Sequence, residues 1–235
     1  MTSVGRVSDN DSFYRFLKKI AIGPAIDLGF QPWVEGLENI PSEGAAILAS
    51  NHLSFSDSIF LAVAVPQKIT FLAKAEYFNS PGIRGKLTAA FFKGAGQVPV
   101  IRSGGSAGMS AINTAVDLLR SGHLVGIYPE GTRSPDGRLY RGKTGVARMA
   151  LEAQVPVIPI AMFNTDKVQP IGRVRPNLNV NVGMRIGKPL DFSRYYGMEE
   201  DRFVLRSLTD EITYKIMELS EQEYVDKYAP RIPRK

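Results

Sequence analysis

His52 and Asp57 stand five residues apart in the segment Asn51-His52-Leu53-Ser54-Phe55-Ser56-Asp57. An imidazole held by a carboxylate on one ring nitrogen has a fixed tautomer and a more basic second nitrogen, so it can take a proton from a hydroxyl. The segment lies between an apolar run and a predicted helix, at the sheet edge where α/β proteins hold their ligands. Taken alone, the pair also fits a structural histidine beside an acid. A second polar segment, Tyr128-Pro129-Glu130-Gly131-Thr132-Arg133-Ser134, follows another apolar run. Gly131 permits close backbone approach, and Arg133 can fork onto two phosphate oxygens. Glu130 and Thr132 add a carboxylate and a hydroxyl. By itself this segment also fits a polar turn with a salt bridge.

Other chemistries find less support. The chain has no cysteine, which excludes a disulfide, a thiolate nucleophile and a Cys-ligated metal. Its two histidines, His52 and His123, leave little room for a His-rich metal site, and none is expected. Ser50, Ser54 and Ser56 lie near His52, but no G-x-S-x-G elbow presents a serine nucleophile. Arg102-Ser103-Gly104-Gly105-Ser106 opens a predicted helix yet lacks the spacing and lysine of a nucleotide P-loop. His123 begins an apolar strand without acidic neighbours and reads as structural. Trp33 reads as packing or an interfacial anchor.

The elements that must position these groups alternate. Strands are predicted at Ala45–Ser50, Ile69–Ala73, Gln97–Arg102, His123–Tyr128, Val155–Met162 and Leu178–Ile186. Pro156 and Pro159 suggest an edge or bulged position for the fifth of these. Helices are predicted at Asp57–Val65, Gly82–Lys93, Ser106–Arg120 (with Ser106 as N-cap), Gly142–Ala153 and Asp201–Leu219. The order implies a single α/β domain with a mixed, mostly parallel sheet flanked by helices.

Phe13, Phe16, Leu17 and Ile20 recur at helical spacing, with Arg15, Lys18 and Lys19 on the other side, and Pro24 kinks or restarts the segment. Such a helix fits an anionic membrane surface or, equally, packing on the protein's own core. The expected organisation is an N-terminal amphipathic, membrane-associating segment over 1–30, the α/β domain over 31–190 and a C-terminal helical segment over 191–235.

The net charge of +6 is uneven. Lys68–Arg148 holds twelve Lys/Arg against four Asp/Glu, whereas Glu199–Lys235 holds seven against nine. The basic excess suits an anionic partner handled mid-chain. A nucleic-acid partner is not expected, because basic residues interleaved with aromatics and a reading motif are both lacking. No apolar run reaches the 18 or more residues that span a bilayer. The expected setting is cytoplasmic and peripheral, on the cytoplasmic face of the cell membrane.

Together the two polar segments resemble the glycerolipid acyltransferase family that includes the 1-acylglycerol-3-phosphate acyltransferases. That family has an H-x-x-x-x-D motif, an arginine-bearing block, an E-G-T-R-S block and a proline-containing apolar block, in that order. Here they stand as His52/Asp57, Gly96–Arg102, Glu130–Ser134 and Val155–Ile160, with a lysine-bearing segment at Ala73-Lys74-Ala75-Glu76. Tyr128 replaces a more usual Phe, and Pro99 is unusual in the second block.

The resemblance implies a glycerol-3-phosphate acyltransferase-like fold and transfer of a fatty acyl group from acyl-CoA or acyl carrier protein. The implied acceptor is lysophosphatidic acid or glycerol-3-phosphate, on the route to phosphatidic acid, with no cofactor. His52 is then the general base and Asp57 its orienting partner. Lys74, Arg102 and Arg133 bind the acceptor phosphate, and Glu130, Gly131 and Thr132 shape that site. Two competing readings are acylation of another lysophospholipid or a glycolipid, and a lipid hydrolase using the same His–Asp pair.

Overall fold

The computed structural model describes Lys18, residues 23–74, Gly82, and residues 97–100, 107–173 and 175–230. In chain order the elements are α1 (Gly23–Phe30), β1 (Trp33–Glu35), β2 (Ala46–Ser50), α2 (Asp57–Ala64), β3 (Ile69–Lys74), β4 (Gln97–Val100) and α3 (Ala107–Arg120). There follow β5 (Leu124–Ile127), β6 (Leu139–Tyr140), α4 (Gly145–Ala153), β7 (Val157–Phe163), the single turn α5 (Thr165–Val168), β8 (Gly183–Ile186), α6 (Arg202–Ser220) and β9 (Tyr224–Val225).

Among the described residues one seven-stranded sheet runs in the order β1-β8-β7-β2-β5-β3-β4, and β6 pairs with β9 separately. β7, β2, β5, β3 and β4 are mutually parallel, while β8 runs antiparallel to β7 and parallel to β1. The sheet is therefore mixed and mostly parallel, as the alternating pattern predicts. All five residues of β2 are buried, because both faces are covered by helices. Ile47 and Ala49 join side chains of α3, α4 and α6, including Leu119, Ala150 and Leu208. Ala46 and Leu48 join Ile26 of α1 and Phe60 and Leu61 of α2. Each large apolar side chain so buried contributes about 1.5–3 kcal/mol over its exposed state. A slip of one residue would exchange the two faces, so the pairing register is held by both cores.

The helix ends follow local chemistry. Val65 before Pro66 takes an extended conformation and closes α2. Pro24 sits in the first turn of α1, where a missing N–H costs nothing. The Asp201 side chain caps α6, accepting from the amides of Phe203 at 2.8 Å and Val204 at 3.1 Å.

Several expectations are revised. β7 is an interior strand, flanked by β8 and β2, so of the edge or bulged position that its prolines suggest it takes the bulged one. The Pro159 carbonyl accepts from Gly187 on the β8 side, so the missing N–H faces that side too. There the pairing changes by one residue, from Val157↔Leu190 to Ile160↔Ile186, and the bulge absorbs the absent donor. β8 begins only at Gly183, after Asn179 adopts a left-handed conformation with φ +62°. α4 begins at Gly145, which leaves 142–144 as a loop. The helix predicted at Phe13–Ile20, the helix at Gly82–Lys93, and Ser106 lie outside the described residues, save for Lys18 and Gly82. Lys18, placed by its spacing on the cationic face, donates to the Val65 carbonyl.

Candidate active site

β2 and β5 are adjacent and parallel, so the segments that follow them leave the sheet at one edge, side by side. His52 comes two residues after β2. The chain then turns so that Asp57 opens α2, fully buried, where the helix N-terminus favours its negative charge. Asp57 Oδ2 lies 2.8 Å from His52 Nδ1 and accepts the amides of Leu53 at 2.8 Å and Ser54 at 2.9 Å. The four intervening residues thus fold onto the carboxylate they precede, which is the physical reason for the five-residue spacing. The contact assigns the proton to Nδ1 and leaves Nε2 with its lone pair. The His52 side chain is 19% exposed and can be reached by a substrate.

The second segment clamps the first. Glu130 Oε1 accepts the His52 amide at 3.2 Å, and the Ser134 amide donates to the His52 carbonyl at 2.7 Å. Both main-chain groups of His52 are therefore held by the Glu130–Ser134 turn. The other oxygen, Glu130 Oε2, accepts the Tyr140 amide at 2.9 Å. Burial raises the Glu130 carboxyl to about 7, against the lowering effect of these two amides.

Tyr128, just past the end of β5, lays its ring on His52 with centroids 3.8 Å apart and planes 10° apart. Phe71 of β3 backs that ring at 6.1 Å and 16°. Phe71 itself lies over Gly126, where a Cβ would fall 2.2 Å from its ring. Burial, and next the Asp57 charge, push the Tyr128 phenol well above its ordinary range, so it stays neutral; Ser58 acts weakly the other way. The strand predicted to reach Tyr128 stops at Ile127, and this frees the ring to turn onto His52.

Gly131 has φ +73°, and the Lys143 side chain crosses its α-carbon. A Cβ there would fall 2.7 Å from Lys143 Nζ. The Lys143 amide donates to the Pro129 carbonyl at 2.8 Å, which fixes the loop against the turn. Neither Lys143 nor Arg133 has an ion pair among the described residues, and both stand at the same turn. Thr132, between Glu130 and Arg133 in the chain, is half-buried. The sequence predicts a helix from Gly142 that would include Lys143, whereas the helix begins at Gly145; the adjacent Gly142 is the signal of a loop.

Of the other predicted phosphate ligands, Lys74 ends β3 at the same sheet edge, its main chain paired with Val100 of β4. Its side chain and all of Arg102 lie outside the described residues. Asn51, also missed, is buried and ties three segments. Its Oδ1 accepts the Met162 amide at 2.7 Å, and its Nδ2 donates to the Met162 carbonyl at 3.1 Å and Gln222 Oε1 at 2.8 Å. His123 is structural, with Nδ1 3.2 Å from the Leu118 carbonyl. Trp33 packs on Phe163, centroids 5.3 Å apart, with the Arg185 guanidinium over it.

A mostly parallel α/β sheet with a His–Asp pair at one strand end, faced by a cationic turn at the next, defines a class, and comparison with known proteins gives it a name. Residues 31–163 match the family model described as Acyltransferase, and the chain belongs to that family. The 1-acyl-sn-glycerol-3-phosphate acyltransferase BAT2 of Brassica napus is 31% identical over 207 residues, covering 88% of this chain and 56% of that protein. The 1-acyl-sn-glycerol-3-phosphate acyltransferase of Bacillus subtilis is 30% identical over 190 residues, covering 79% and 86%. The chain spans about half the length of the chloroplast relatives, 56% and 50%. The crystal structure of the 1-acyl-sn-glycerophosphate (LPA) acyltransferase PlsC from Thermotoga maritima aligns with a TM-score of 0.62 at 26% identity, covering 89% of this chain and 79% of that one.

Proposed function

We propose that this chain transfers a fatty acyl group from a thioester, acyl-CoA or acyl carrier protein, to the free hydroxyl of 1-acylglycerol-3-phosphate, forming phosphatidic acid. The observation that carries the reading is the 2.8 Å contact between His52 Nδ1 and Asp57 Oδ2, beside a turn bearing Arg133 and Lys143. The names of the relatives supply the acceptor. His52 Nε2 takes the proton of the acceptor hydroxyl as its oxygen attacks the thioester carbonyl. The C–S bond breaks, the new ester C–O bond remains, and the proton passes from the imidazolium to the departing thiolate. Asp57 orients the ring and stabilises the imidazolium. Arg133 and Lys143, joined by Lys74 and Arg102, hold the acceptor phosphate. No cofactor enters the scheme, because proton transfer and charge binding are carried by side chains.

No helix among the described residues is long and apolar enough to cross a membrane. The proposed setting is peripheral, on the cytoplasmic face, where both a lipid acceptor and a soluble donor are met. The test is product mass spectrometry on purified protein given an acyl thioester and either 1-acylglycerol-3-phosphate or a neutral monoacylglycerol. Diacylated phosphate product with the first acceptor and little with the second is expected. Equal use of the neutral acceptor would overturn the phosphate assignment. Acceptor-independent release of free fatty acid would identify a hydrolase.

A further inference from the structure

β2, β5 and β7 run parallel, so the loop that leaves β7 emerges at the sheet edge that carries His52 and Tyr128. That loop is fastened to the catalytic segment itself. Ser54 Oγ, two residues from His52, donates to the Gln169 carbonyl at 2.9 Å. The loop is closed on itself by the Asn177 amide, which donates to the Val168 carbonyl at 2.7 Å. It is fastened to α1 as well, since the Asn179 amide donates to the Gly29 carbonyl at 3.0 Å. A Cβ placed on Gly29 would lie 3.7 Å from Leu178. Helix end, loop and catalytic histidine therefore share one end of the molecule.

The side chains displayed there are of two kinds. Leu28 is 87% exposed, Leu178 62% and Ile171 37%. Interspersed with them are Lys167, Arg173 and Arg175, none in an ion pair among the described residues. Arg173 makes a long contact of 3.5 Å to Asn177 Oδ1. Between Asn164 and Asn181 these three cations face one acid, Asp166, and α1 adds Asp27. Large apolar tips beside unpaired cations suit an anionic lipid interface, where apolar groups enter the acyl boundary and cations meet headgroup phosphates.

We propose that Leu28, Ile171 and Leu178, with Lys167, Arg173 and Arg175, form a docking surface for an anionic bilayer, which seats the His52 edge of the sheet against the membrane. The proposal rests on the lipid-acceptor reading only for where the substrate lies. The occupant follows from charge and exposure. Docking in this orientation lets an acceptor reach His52 with its acyl chain still in the bilayer.

The experiment uses the full chain and vesicles of phosphatidylglycerol or of phosphatidylcholine, with flotation as the readout. The variants are Leu28→Glu with Leu178→Glu, and Lys167→Gln with Arg173→Gln and Arg175→Gln. Phe203→Ser is the control, since Phe203 is 86% exposed but opens α6 about 28 Å of helix away from the Gln222 end. Wild type and the control should float with phosphatidylglycerol and only weakly with phosphatidylcholine. The cation variant should lose roughly 100-fold in vesicle affinity, at about tenfold or less per residue. The leucine variant should lose more than about tenfold. All folded variants should acylate a short-chain, water-soluble 1-acylglycerol-3-phosphate at the wild-type rate. Undiminished flotation of both folded variants overturns the surface. So does loss of binding to acyl carrier protein with vesicle binding intact, which would make the patch a protein dock. Flotation as expected without acyl transfer would overturn the enzymatic reading alone.

Discussion

The phenol ring of Tyr128 lies flat on the imidazole of His52, centroids 3.8 Å apart, while Asp57 holds the same imidazole edge-on through Nδ1 at 2.8 Å. The two restraints are perpendicular. Asp57 fixes rotation within the ring plane, and Tyr128 fixes the plane itself. The negative face of the phenol is also positioned to meet the imidazolium that forms as a proton is taken up.

Replacing Tyr128 by Leu should therefore lower kcat by roughly 2- to 30-fold, the span of a cation–π contact of about 0.5–2 kcal/mol. Tyr128→Phe keeps the ring and removes a buried hydroxyl whose one interaction among the described residues is a weak one with Ser58. It should retain nearly full activity. Steady-state kinetics on both variants decide the matter, and equal losses in Phe and Leu would assign the effect to the hydroxyl.

His52→Ala should reduce turnover by about 100-fold or more. Asp57→Asn should be severely impaired too, because an amide cannot stabilise the imidazolium and disturbs three contacts made by Oδ2. Direct transfer predicts no covalent acyl-protein. Incubation with labelled acyl thioester alone, followed by intact-protein mass spectrometry, should show unmodified chain. An acyl adduct would replace direct attack with a two-step route.

Arg133→Lys and Lys143→Met should each raise the KM for the phosphorylated acceptor by roughly 10- to 150-fold, as expected for one charge-assisted hydrogen bond. The donor KM should change little. Lys143 makes no ion pair among the described residues, so its removal orphans no partner there. A thermal melt of Lys143→Met close to wild type, with acceptor KM unchanged, would remove Lys143 from the phosphate site.

Glu130 links the site to pH. Its carboxyl titrates at about 7 in the folded chain against 4.5 when unfolded, chiefly through burial. The folded protein therefore keeps a proton that the unfolded chain releases between those values. Stability from this group is complete below pH 4.5 and is lost as pH rises to 7. The gap corresponds to about 3 kcal/mol. Urea unfolding at pH 5 and pH 8 should show that loss in wild type, and Glu130→Gln should flatten it. A drop of the same size in the variant would place its source elsewhere.

The alternation of strands and helices and the His–Asp pair were legible in the sequence because both are written in short-range spacing. A buried parallel strand such as Ala46–Ser50 shows as an apolar run, and the x4 loop of the motif folds locally onto Asp57. The interior place of β7 was not legible, since the bulge that excuses Pro159 is built by residues about thirty positions away. Lys143 was hidden for a similar reason. The helix predicted over Gly142–Ala153 starts three residues before α4, and Gly142 is the one local sign of the loop that the hydrogen bond to Pro129 then fixes. Tyr128 could be read as a departure from Phe, but its stacking needed Gly126 and Phe71 on neighbouring strands.

The buried Asn51 side chain donates to Gln222, and the strand pair β6–β9 joins Leu139 to Tyr224, close to the amide that Glu130 accepts. On a ribosome, His52, Asp57 and the Glu130 turn are all made long before Gln222 leaves the exit tunnel. A nascent chain therefore carries every group of the site without the fastener that closes it, and loops of this length close slowly. The contact of Asn51 with Gln222 becomes possible only after every residue of the site has been made, so it is the last of these fastenings to form.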